Sequence, residues 1–98
     1  TLLDIFTFLE RHRELAKVMI GPHGDLAFVN RLKALVEERL WHLLEPELPS
    51  PESGYGCAFI VSGCIGIIEL WLGRSDSRSP EEIAGICARL LQGGYLPQ

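Results

Sequence analysis

The sequence has 98 residues, enough to bury one modest core but not two independent ones. Apolar residues make up 47% and charged residues 22%, which excludes a disordered chain, and three cysteines in apolar runs exclude a disulfide framework in favour of free buried thiols in a reducing compartment, the cytoplasm. A net charge of -4, with nine Lys and Arg scattered along the chain and balanced by nearby glutamates, excludes a direct grip on nucleic acid, which needs clustered cations against phosphates.

In chain order, the first apolar stretch does not fit one helix. Leu2, Ile5, Phe6 and Leu9 share a face, whereas Leu15, Val18 and Met19 lie on a face turned by about 100°. A straight helix would need two cores, so the spacing predicts a break near His12 and Arg13 and two short helices, the second ended by Gly21-Pro22 and Gly24. Asp25 is placed to N-cap a third helix whose stripe is Leu26, Val29, Leu32, Val36, Leu40 and Leu43. A second line, Ala27, Ala34 and Trp41, runs up its more polar side, as if it touched neighbours on two sides.

A proline-rich link follows, with Ser50-Pro51 as a cap and first-turn pair, and then YGCAFIVSGCIGIIELWLG, residues 55–73. The sixteen residues between Glu52 and Glu69 are uncharged, short of the roughly 20 apolar residues a bilayer core requires, so a membrane span is not expected. On a helical wheel the large residues point every way: Phe59 and Leu70 one way, Ile60, Ile67 and Trp71 another, Val61, Ile65, Ile68 and Leu72 a third. A helix apolar all round must be covered all round. Four short helices can hardly enclose it, so one side is expected to meet another chain, with Gly56, Ser62, Gly63, Gly66 and Gly73 allowing close backbone approach. The competing reading is that these glycines only admit the domain's own helices.

Ser79-Pro80-Glu81-Glu82 then reads as a capping box opening a last helix lined by Ile83, Ile86, Cys87 and Leu90, with Gly93-Gly94 stopping it. No stretch alternates as a strand would. The expected fold is all-α, about five helices in one domain over residues 1–98.

This layout resembles the C-terminal ligand-binding and dimerisation domain of TetR-family transcriptional regulators. The resemblance rests on His12-Arg13-Glu14 and Gly24-Asp25 at the broken first segment, on Gly63, Gly66 and Trp71 in the apolar helix, and on the Ser-Pro-Glu-Glu start of the last one. It covers essentially the whole chain. It implies a homodimer whose four-helix bundle takes the last two helices of each subunit, with Gly63, Gly66, Ile67, Leu70, Ile83, Ile86 and Leu90 at the interface. It also implies a cavity for a small apolar effector among the central helices, lined by Phe8, Met19, Phe28, Leu32, Phe59 and Trp71. DNA would be read only by an N-terminal helix-turn-helix domain that this sequence lacks; the start at Thr1 is expected of a piece of a longer protein. A structural interaction module without a cavity is the alternative.

Catalytic arrangements are not expected. His12, His23 and His42 sit in no HExxH or comparable pattern, and neither a GxSxG turn nor a phosphate-cradling glycine loop occurs. Neither a cofactor nor a metal is expected. Cys57 and Cys64 share a helical face but stand about 10 Å apart on a regular helix, beyond disulfide reach, and read as small core residues.

Overall fold

A computed structural model describes residues 2–44, 53–73 and 78–94. These form five helices: α1 (Leu2–Arg11), α2 (Arg13–Ile20), α3 (Leu26–Leu44), α4 (Ser53–Gly73) and α5 (Pro80–Gly94). Among the described residues there is no strand, as the sequence leads one to expect. The Ser50-Pro51 cap and the side chains of Trp41, His42 and Leu43 lie outside the described residues.

The caps sit where the sequence puts them. Asp25 Oδ1 accepts from the backbone N–H of Ala27 at 2.9 Å, filling one of the donors that a helix N-terminus leaves open. At α5 the capping box is complete: Glu82 N–H donates to Ser79 Oγ at 3.1 Å and Ser79 N–H donates to Glu82 Oε1 at 3.0 Å. Between α2 and α3 the chain closes tightly, with Asp25 N–H donating to the Met19 carbonyl at 2.9 Å. Gly24 is required there, because an added Cβ would collide with the Met19 carbonyl group.

The break falls at His12, whose φ of -121° and ψ of 37° leave the helical region. It swings α1 and α2 so that each buries its own face: Ile5, Phe6 and Leu9 from α1, Ala16 and Ile20 from α2. Here the periodicity misassigns α2. Leu15 and Val18 are 60% and 69% exposed, and the smaller Ala16 is the residue pressed into the core. With five apolar residues among eight, α2 offers more than one apolar face, and packing against α3 and α4 selects between them.

From α3 the core takes Leu32, Val36 and Leu40; Val29 is half-buried and Leu26 is exposed, so the stripe is buried in the middle and frays at the start. Ala27 and Ala34 face solvent. From α4 come Ile60, Val61, Cys64, Ile65, Ile68, Trp71 and Leu72, and from α5 Ile83 and Cys87. The core is one continuous cluster with no buried polar or charged residue among those described. α1 packs chiefly on α5, and α4 chiefly on α3 and α2.

Candidate functional site

Two apolar grooves flank the core, and the residues expected at one effector cavity divide between them and the interior. The first groove lies between α1 and α3 and has a volume of about 320 Å³, at the small end for a ligand pocket. Ile5, Phe8, Leu9, Phe28, Leu32 and Leu35 form its walls. Phe8, Phe28 and Leu32 thus line one groove. The charged residues at this groove are Asp4, Arg31 and Arg39. The two arginines stand eight residues apart on α3, about two turns up the helix and both at this groove. A groove of this composition suits an apolar body with a hydrogen-bond-accepting or anionic end.

Trp71 stands elsewhere. It is 2% exposed and belongs to the core, where the Phe6 ring meets it edge-on at 5.4 Å and 80°. Its indole N–H donates to the Arg78 carbonyl at 3.1 Å, tying the end of α4 to the segment before α5. Arg13 lies over the same ring, Cζ 4.9 Å from its centroid, and donates from Nη2 to the Trp71 carbonyl at 2.8 Å while Nη1 pairs with Glu10 Oε2 at 2.8 Å. The arginine just after the α1–α2 break therefore caps an α4 carbonyl with charge of the favourable sign. This joint fixes three helices at one point, and nothing in the local spacing of Arg13 signals it. Met19 is half-buried on α2 and Phe59 lines a separate groove, so neither joins Phe8 and Phe28.

The second groove runs between α4 and α5, about 560 Å³, lined by Phe59, Ile60, Ser62, Gly63, Cys64, Ile67, Cys87, Leu90 and Leu91. Three of the seven residues expected at a subunit interface, Gly63, Ile67 and Leu90, line it. Gly63, Gly66, Leu70 and Leu90 are exposed, the two leucines at 55% and 58%, while Ile67 and Ile86 are half-buried. Ile83 is different: at 7% exposed it belongs to the subunit's own core, on a helix that packs chiefly against α1.

Along α4, Phe59, Gly63, Gly66, Leu70 and Gly73 follow one another at intervals of four, three, four and three residues, the spacing that keeps one face toward a parallel or antiparallel neighbour helix. All five are exposed, Phe59 at 67%. A Cβ added at Gly63, Gly66 or Gly73 would meet nothing within 4 Å. These glycines therefore do not admit a neighbouring helix of their own chain. Gly63 and Gly66, inside the helix, each cost roughly 1 kcal/mol of helix stability against alanine with no return inside the subunit.

Gly54–Gly73 is long and apolar enough by composition to cross a membrane, but half of that window is buried in the fold, and residues such as Ile60, Ile68 and Trp71 are core residues. No group of three or more His, Cys, Asp or Glu that could hold a metal occurs among the described residues, and His12 and His23 are exposed.

A family model described as "Transcriptional regulator C-terminal region" matches residues 1–93. No curated protein and no solved structure matches the chain.

Proposed function

Because the chain belongs to the C-terminal regulatory domains of TetR-family transcriptional regulators, we propose that it is the dimer-forming, effector-responsive half of such a regulator, working in the cytoplasm. Two copies dock through α4 and α5 into a four-helix bundle. The observation that carries this reading is the exposed Phe59-Gly63-Gly66-Leu70-Gly73 line, whose glycines face open space. A second copy supplies both the cover this face lacks and the close approach its small residues permit. Leu90 and Ile86 of α5 extend the same surface.

The effector belongs in the α1–α3 groove, with Phe8, Phe28 and Leu32 holding its apolar body and Arg31 and Arg39 its accepting or anionic end. Entry there bears on α1, and α1 packs chiefly on α5, one of the two helices of the dimer face. Occupancy thereby acts on the angle between subunits, and so on the spacing of two DNA-reading domains outside this sequence. Such a ligand shifts the balance only by the difference in its affinity for the two arrangements. No catalytic role is assigned to any residue.

The test is a thermal-shift series with a medium-chain carboxylate, the matching alcohol and the matching amine. A ligand of the folded state raises the melting temperature, and the expected order is carboxylate, then alcohol, then amine. The same series on Phe28→Ala should show a smaller shift. No shift with any probe would leave a dimerisation module and remove the effector part of the proposal.

A further inference from the structure

Cys64 on α4 and Cys87 on α5 meet in the wall of the second groove with their sulfur atoms 3.6 Å apart. Both are free thiols, 2% and 0% exposed, and they stand 23 residues apart in sequence, so the pairing is made by the packing of the two helices. A disulfide holds its sulfurs at about 2.05 Å, so closing this pair takes a movement of about 1.5 Å, within reach of a side-chain rotation and a small helix adjustment. The third thiol, Cys57, lies on the side of α4 that faces Lys33 and Glu37 of α3, where burial and the Glu37 carboxylate push it up and make it a poorer nucleophile. Either sulfur can donate the shared S–H···S bond; where Cys64 donates, that bond and burial push the Cys64 thiol up and accepting it pulls Cys87 down, which makes Cys87 the attacking sulfur in that arrangement.

We propose that Cys64 and Cys87 form a reversible dithiol–disulfide couple that a small peroxide oxidises, stapling α4 to α5 beneath the face assigned to the second copy. In the first step Cys87 thiolate attacks one peroxide oxygen, the O–O bond breaks, hydroxide leaves and a sulfenic acid forms. In the second, Cys64 sulfur attacks the Cys87 sulfur, the S–O bond breaks and water leaves with the Cys64 proton. Overall two thiols and one hydrogen peroxide give one disulfide and two waters. Metal capture by the same pair is the weaker use, because no third His, Cys, Asp or Glu joins the two sulfurs among the described residues. The inference goes beyond the regulatory reading and is independent of any effector.

The whole regulator is treated with hydrogen peroxide, alkylated under denaturing conditions and mapped by mass spectrometry without reductant. The expected result is a cross-linked peptide pair joining Cys64 to Cys87, Cys57 still alkylated, and recovery of both thiols with dithiothreitol. Cys57→Ser keeps the cross-link, whereas Cys64→Ser and Cys87→Ser each abolish it. The wild-type map decides the matter even if a serine variant fails to fold. Full alkylation of both cysteines after peroxide, oxidation to sulfinic acid without a cross-link, or a cross-link that uses Cys57 would each overturn the proposal.

Discussion

α3 and α4 are the two long helices, packed against each other, and they differ in what they turn outward. The outer surface of α3 is built of Ala27, Asn30, Ala34 and Glu38, small or polar side chains that lie in water at little cost. The outer surface of α4 is built of Tyr55, Phe59, Gly63, Gly66 and Leu70, in which large apolar rings and chains alternate with bare backbone. Their inner faces are alike: Leu32, Val36 and Leu40 on one, Ile60, Cys64, Ile68 and Trp71 on the other. The lesson is that burial within the subunit explains the inner faces of both helices and the outer face of only one. α3 ends at water, and α4 calls for another surface.

The contrast can be broken from the inside first. Trp71→Ala removes the ring that Phe6, Arg13 and the Arg78 carbonyl all use, and should lower unfolding free energy by about 3–5 kcal/mol, measured by denaturant titration. A loss near zero would mean that the inner face of α4 is not packed as described. Next comes the outer face of α4: Leu70→Glu puts a charge on a surface that the subunit alone leaves 55% exposed. Circular dichroism should show unchanged helicity while size-exclusion chromatography shows the dimer lost, since a desolvated unpaired charge is the costly outcome only at an interface.

A smaller effect belongs to the entry of α3. Asp25→Ala removes the acceptor for Ala27 N–H and should cost about 1 kcal/mol without altering association. Smallest of all is the outer face of α3, where Asn30→Ala and Glu38→Ala should each change stability by no more than about 0.5 kcal/mol and leave the dimer intact. If either dissociated the dimer, the difference between the two outer faces would vanish.

What the sequence makes legible follows from how local each feature is. The helix break at His12, the Asp25 cap and the Ser79–Glu82 box are decided within three or four residues, and each stands where its pattern puts it. The all-round apolar character of α4 is equally local, and it points correctly to a face uncovered by the chain itself. The face of α2 is not legible, because Leu15, Ala16, Val18, Met19 and Ile20 give an eight-residue helix several apolar orientations among which only tertiary packing chooses. Trp71 reads in sequence as core by default with a pocket role open; it is core because Phe6, 65 residues away, packs edge-on against its ring. Cys64 finds Cys87 rather than its helical neighbour Cys57 for the same reason: the contact exists only once α4 and α5 are side by side. The arginines of the α1–α3 groove are missed because a residue on the polar flank of α3 becomes a groove residue only when α1 is laid beside it.

The central claim is that the glycine line of α4 is reserved for a second copy of the chain. It is tested most directly by sedimentation equilibrium of the wild type beside Gly63→Leu, a substitution whose side chain begins in open space in the subunit. A micromolar dimer for the wild type, and a monomer of undiminished helicity for the variant, is the predicted result. A monomeric wild type, or a variant that dimerises as tightly as the wild type, would contradict it.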